Sequence, residues 1–268
     1  MLSFLVIIFS LGFTLWSIVQ SKAVQTLGVR IAVAYFSKEW KTEFRIRSFN
    51  LSLLDGLVIH DISLKDRKGD YLFKANELAV VPGLIHLKTH KINIRKVFID
   101  HGIVQLLTHK GDSSLNLQFI IDYFASSDTT KKTDTVKGRP WDFTISNVIL
   151  DSTRFHLEDE NTPRIPVGMD YANIDVNDIN LHITDIRFDA DTIRANIMEL
   201  SARERSGFHV KHLSGEFHVS PCFLKANNLK VLTDNSDISL SFAFLYPSWN
   251  AYNDFLNAIT IKGNIAPS

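Results

Sequence analysis

One spacing recurs through most of this chain and limits what it can fold into: apolar residues at i, i+2, i+5 and i+7. It occurs as Phe44, Ile46, Phe49 and Leu51, and again as Leu57, Ile59, Ile62 and Leu64. It returns as Phe73, Ala75, Leu78 and Val80, and as Ile92, Ile94, Val97 and Ile99. Later copies are Phe143, Ile145, Val148, Leu150, and Ile174, Val176, Ile179, Leu181, the latter overlapped by Leu181, Ile183, Ile186, Phe188. Ile193, Ala195, Met198, Leu200 and Leu224, Ala226, Leu229, Val231 complete the set. Phe208, Val210 and Leu213 continue it imperfectly, with Gly215 in the fourth place. In a regular strand, i and i+2 share a face while i+5 and i+7 lie on the other. One inserted residue, a β-bulge, returns all four to one face and also bends and twists the strand. Repetition of this device predicts a long, curved antiparallel sheet with one continuous apolar face. Intervening pairs such as Arg45 and Arg47, His60 and Asp61, Asn93 and Arg95, and Asn177 and Asp178 make the opposite face wet, as antiparallel sheets allow.

Turn signals separate the copies: Asp66-Arg67-Lys68-Gly69-Asp70, Pro82-Gly83 and Ser206-Gly207. The copies also resemble one another beyond apolarity. INIRKVFIDHGIVQL, from Ile92 to Leu106, aligns with FTISNVILDSTRFHL, from Phe143 to Leu157, and such self-similarity points to an array growing in one direction. Two stretches depart from the pattern. Leu115 to Ala125 has Leu117, Ile120, Ile121 and Phe124 at helical spacing, which predicts a short helix capping an edge or end of the sheet. Ser126 to Pro140 is polar and breaker-rich, so it reads as a loop or linker between two sheet units.

The N-terminus obeys a different rule. Leu2 to Val19 is 18 residues without a charge, close to the roughly 20 that cross a hydrocarbon core of about 30 Å. Ser3, Ser10, Thr14 and Ser17 can bond back to a helix backbone, and Trp16 suits the headgroup level. The span is therefore expected to anchor the chain through residues such as Leu5, Ile7, Phe9, Phe13 and Trp16. A cleaved signal peptide is the rival, because Ser21-Lys22-Ala23 resembles a cleavage site. The apolar run is too long for that class and no basic region precedes it. Lys22, Arg30, Lys38 and Lys41 follow the span, which by charge bias would hold the next segment in the cytoplasm; long domains cross largely regardless of such charges. Val24, Leu27, Ile31 and Tyr35 continue at helical spacing, so Lys22 to Lys41 is expected to be an amphipathic helix. That helix either packs on the next domain or lies at a membrane surface or end of the sheet.

Composition excludes several functions. Lys+Arg and Asp+Glu number 29 each, which argues against a general nucleic-acid binder with its basic face. Hydrophobic content of 45% argues against disorder, and a single cysteine, Cys222, excludes an intrachain disulfide framework or a cysteine-based zinc site. Of the aromatics, 19 are Phe, which suits a surface meeting only apolar matter. His86 and His90, and His209 and His212, lack the context of a zinc motif. Asp185, Asp189 and Asp191 lack the spacing of a calcium loop. Asp100 and Asp151 recur at the ends of equivalent strands, which turn formation explains. No phosphate-binding glycine loop and no nucleophile elbow occurs, so neither enzyme chemistry, metal nor cofactor is expected.

The uncharged span, the amphipathic helix, FRIRSFNLSLLDGLVIHDISLKDRKGDYLFKANELAV, INIRKVFIDHGIVQL and LNLQFIIDYF together resemble the N-terminal part of TamB, in the AsmA-like superfamily, most of all its Bacteroidota versions. WDFTISNVILDSTRFHLEDEN, DINLHITDIRFDADTI and SARERSGFHVKHLSGEFHVS are similar to the same family, so the likeness covers nearly the whole chain. The resemblance implies an inner-membrane anchor and a mainly β periplasmic body, a β-taco: an elongated antiparallel sheet folded into an apolar groove. It also implies phospholipid carriage between inner and outer membranes and an outer-membrane Omp85-family partner such as TamA. Members of that family are far longer and carry a C-terminal domain absent here, so the chain is expected to be the N-terminal portion of a longer protein or a short paralogue. On this reading residues 1–21 are the anchor and 22–41 the amphipathic helix. A first groove unit spans 42–125, a loop 126–140, and a second unit 141–268. The expected lining is Phe44, Ile46, Ile59, Ile62, Ile94, Val97, Ile145, Val148, Val176, Ile179, Ile183 and Phe188, meeting phospholipid acyl chains. A dozen to fifteen strands at about 4.8 Å each would extend roughly 60–70 Å. A scaffold for outer-membrane protein assembly, recruiting partner strands at a sheet edge, is the rival function. A closed sandwich whose apolar face is simply its core is the third reading.

Overall fold

The computed structural model describes residues 21–52, 56–86, 89–128, 142–189, 191–249, 251 and 258–267. The expected anchor, with Leu5, Ile7, Phe9, Phe13 and Trp16, lies outside the described residues, as does nearly all of the expected 126–140 loop. Among the described residues no helix is long and apolar enough to cross a membrane.

All described strands join one 12-stranded sheet, so the third reading, two sheets packed face to face, is not what the described chain forms. Helix α1 (Lys22–Trp40) precedes β1 (Phe44–Ser52), β2 (Gly56–Lys65), β3 (Tyr71–His86), β4 (Lys91–Asp100) and β5 (Ile103–Thr108). After α2 (Gln118–Asp128) come β6 (Asp142–Asp159), β7 (Asn173–Asp189), β8 (Thr192–Glu204), β9 (His209–Ser220), β10 (Phe223–Thr233), β11 (Asp237–Leu245) and β12 (Thr260–Pro267). The strands lie side by side in the order β1-β2-β3-β4-β6-β7-β8-β9-β10-β11-β12, with β5 pairing β3 and β6. Ten steps of about 4.8 Å give a width of ~48 Å, less than the sequence suggests. About 4.8 Å of the shortfall arises because β5 continues in line with β4 along β6 and adds no width.

The inferred bulge is visible in β1: Phe44, Ile46, Phe49 and Leu51 are half-buried, whereas Arg45, Arg47, Ser48 and Asn50 are exposed. Several bulges put the residue at i+4 in the left-handed region, and that residue is Asp61, Asp178, Asp185 or Asn228. Asp and Asn tolerate positive φ better than other residues with a Cβ, so these positions are chemically chosen. Pro82-Gly83 is not a turn, contrary to the sequence reading. It lies inside β3, where the register against β4 shifts. Proline supplies no N–H and is tolerated at such a bulge. Gly83 is required because a Cβ there would come 2.1 Å from Oδ1 of Asn93.

The sheet is antiparallel except at its middle. There β4 and β5 pair with β6 in parallel, Ile92 opposite Phe143, Val97 opposite Val148 and Leu106 opposite Leu157. This register is the alignment of the two self-similar segments, so the repeats are hydrogen-bonded neighbours. A parallel pair needs a crossover rather than a tight turn, and the chain between β5 and β6 supplies it. Equivalent turn residues behave alike: His101 and Ser152 both have positive φ. Their side chains each hydrogen-bond to the preceding carboxylate, Asp100 or Asp151, at 2.8 Å.

Candidate functional site

Register places the pattern residues of successive strands opposite one another and builds apolar rows across the sheet. The longest runs Phe49, Ile59, Leu78, Ile99, Leu150, Leu181, Leu200, Leu213, Val231 and Ile238. Every residue of this row is half-buried rather than buried. Among the described residues no second sheet packs on it. Nearer one rim, Phe188, Ile193, Val219, Leu224, Phe244 and Ile261 form a second row. Phe188, Ile193 and Ile261 there are 41%, 43% and 59% exposed, more than a sealed core would leave.

The expected lining residues fall on this face in different surroundings. Ile59 belongs to the long row, and Val97, Val148 and Ile183 to the row beside it. Ile94 pairs with Ile145, Val176 with Phe155, and Ile179 with Thr153. Ile46 opposes Ile62, which is only 7% exposed. Phe44 is covered: its ring meets Trp40 at 6.0 Å beside the buried cluster of Leu64, Leu72 and Phe119. Helix α2 brings Phe119 against Leu64 and Leu72 there. The face opposite is mixed: Asn93 donates to the hydroxyls of Thr144 and Ser146 and His182 contacts Asn147, while Val58, Ala79, Phe98 and Ile149 lie opposite one another across four strands.

Helix α1 lies along the outer edge of β1. The Gln25 side chain donates to the Leu51 carbonyl at 3.2 Å and accepts from the Leu51 N–H at 3.5 Å. Ser37 likewise accepts from the Phe44 N–H and donates to the Phe44 carbonyl. Two helix side chains thus replace a neighbouring strand and blunt an edge that would otherwise recruit one. Gln25, Val29, Val33, Phe36, Ser37 and Trp40 are the less exposed positions of α1. The expected stripe of Val24, Leu27, Ile31 and Tyr35 is not the packing face; these residues are 41%, 58%, 61% and 51% exposed.

Sequence reasoning missed a buried polar lock beside α2. One oxygen of Asp66 accepts from the N–H groups of Lys68, Gly69 and Asp70, and the other from Asn116 and from His109 at 2.8 Å. Burial pushes the Asp66 carboxyl up. The hydrogen bonds from His109, Asn116, Lys68 and Asp70 outweigh it and hold the group below its ordinary value. Burial pushes His109 down, but the hydrogen bond and charge of Asp66, with the charge of Glu160, raise it above the usual histidine range. Asp66, Asp70 and His109 offer ligand atoms within 4.8 Å of one another. Both Asp66 oxygens are already committed, so the arrangement is that of a fold-holding lock rather than a metal site. The signal available was Asp66 three residues before Gly69, an Asx-turn pattern.

A cavity of about 490 Å³ opens between the Arg164–Asp170 loop and the Glu204–Ser206 turn. Its charges are spent locally: Arg164 pairs with Glu158, Glu204 accepts from the Ser206 N–H, and Arg205 donates to the Asn173 carbonyl. No protein-family model and no curated protein matches the chain.

Proposed function

We propose that this chain is a non-enzymatic lipid conduit: a membrane-anchored, apolar trough that shields phospholipid acyl chains while headgroups stay in water. The observation that carries this reading is the unbroken row from Phe49 to Ile238, apolar in ten consecutive neighbouring strands and half-buried throughout. A protein that only needed a core would bury such a row; here none of its residues is buried. The proposal includes the expected setting: an N-terminal inner-membrane anchor, a periplasmic body of TamB type and an Omp85-family partner at the outer membrane. The uncharged Leu2–Val19 span and the repeated bulged strands support it. Carriage of a lipid makes and breaks no bond, so no catalytic group or cofactor is required.

The test is the phospholipid that co-purifies with the chain in detergent, counted per protein by mass spectrometry. Leu181→Glu with Leu200→Glu puts two carboxylates on neighbouring strands of the long row. The wild type should retain lipid and the variant should lose most of it while keeping its β circular dichroism. Equal lipid in both would reject the trough.

A second reading is favoured by one observation. Among the described residues the outer edge of β12 pairs with no strand, so it could receive a partner strand during outer-membrane protein assembly. Stoichiometric capture of an outer-membrane protein without bound lipid would select that reading.

A further inference from the structure

Helix α1 is apolar on two opposite sides; among the described residues one side packs on the sheet, and on the other only the Tyr35 hydroxyl meets protein, 3.4 Å from that of Tyr123. Gln25, Val29, Val33, Phe36 and Trp40 face the edge of β1, fixed there by the paired hydrogen bonds of Gln25 and Ser37. At 100° per residue, Val24, Leu27, Ile31 and Tyr35 fall on the far side, where they are 41–61% exposed. Four large side chains over three turns are an unusual thing to leave in water, and they need an occupant.

Two observations select it. Lys22, Arg30, Lys38 and Lys41 are all exposed on or beside this helix, against a single acid within it, Glu39. A basic helix with a separate apolar stripe is the pattern of one lying in an anionic lipid interface. The stripe also begins at Val24, five residues after the uncharged Leu2–Val19 run ends. A membrane-inserted run would deliver α1 to the headgroup level with almost no connecting chain.

We infer that α1 lies in the plane of an anionic bilayer, Val24, Leu27, Ile31 and Tyr35 toward the acyl boundary, and thereby holds strand β1 against the membrane surface. The two readings of this helix, packing on the sheet and lying on lipid, are then both satisfied, on opposite sides. A helix with its side chains is about 10 Å across, so β1 and the first residues of the trough sit that far from the lipid. Lipid leaving the bilayer would meet the β1 side of the trough first. The inference rests on the proposed membrane attachment.

The experiment uses the full chain in vesicles of phosphatidylcholine with phosphatidylglycerol, in a Cys222→Ser background. An environment-sensitive fluorophore is placed by Leu27→Cys or Ile31→Cys, with Tyr171→Cys, at a 75% exposed loop position, as the aqueous control. Lipid-borne quenchers should dim the Leu27 and Ile31 probes at least about twofold more than the control. Replacing the anionic lipid by phosphatidylcholine should weaken that quenching. Vesicle-bound protein whose Ile31 probe is quenched no more than the control overturns the inference and leaves the attachment reading standing. A probe shielded from water but untouched by lipid quenchers overturns it in favour of a second copy of the chain. Protein that does not float with vesicles at all overturns the attachment reading and the inference together.

Discussion

The β1–β5 end and the β6–β11 stretch are written in the same spacing, yet they end in different states. In the first, Leu64, Leu72 and Phe119 are buried in a cluster against which Trp40 of α1 and Ile120 of α2 pack. In the second, Leu150, Leu181, Leu200 and Leu213 are half-buried, as Phe49, Ile59, Leu78 and Ile99 of the same row are in the first, and of its pattern residues Ala226 and Leu229 alone are buried. The strand pattern therefore decides which face is apolar, not whether that face is filled. The helices that pack on the buried cluster come from the chain before β1 and that between β5 and β6.

Truncation should separate the two regions most sharply. Phe119→Ala leaves a cavity in the closed end and should cost about 3–4 kcal/mol. Leu200→Ala removes a side chain already half in water and should cost below about 1.5 kcal/mol. Urea unfolding of both variants checks this, and equal losses would mean that the long row is a closed core after all.

The lock gives the next effect. Asp66→Asn keeps the size of the side chain but removes the charge that five donors address, and should cost about 2–3 kcal/mol in urea unfolding. A loss within experimental error would show that α2 alone closes this end.

A smaller effect lies in the pH dependence. Asp66 is held below its ordinary 3.8, so its contribution is full above that value and disappears as pH falls through the lower folded value. His109 is held above its ordinary 6.5, so its contribution is full below that value and disappears as pH rises through the higher folded value. The stability difference between wild type and His109→Gln should thus be largest between 3.8 and 6.5 and shrink as pH rises above 6.5. A difference that grows with pH would reverse the assigned protonation.

The open region was the more legible one in the sequence, because its geometry is periodic. The i, i+2, i+5, i+7 spacing located the bulges and the shared face, and Asp61, Asp178, Asp185 and Asn228 supply the backbone conformation they need. The Ile92–Leu106 alignment with Phe143–Leu157 anticipated a register but not its direction, since apolar periodicity is the same in parallel and antiparallel pairs. The closed region hid its contacts in single polar residues. Gln25 and Ser37 carry no hydrophobic signal, so the stripe on the other side of α1 drew the eye instead. His109 lies 43 residues from Asp66, and no local pattern joins them.

The central claim is that one face of the sheet meets lipid and the other meets water. Ile145 and Ser146 are adjacent residues of β6 on opposite faces; Ile145 pairs with Ile94 and Ile186, and Ser146 accepts from Asn93. A photo-crosslinking residue at each position, activated in intact cells, tests the claim directly. Phospholipid should be captured from position 145 and not from 146. Equal capture at both positions, or none at 145 in a folded chain, would contradict the account.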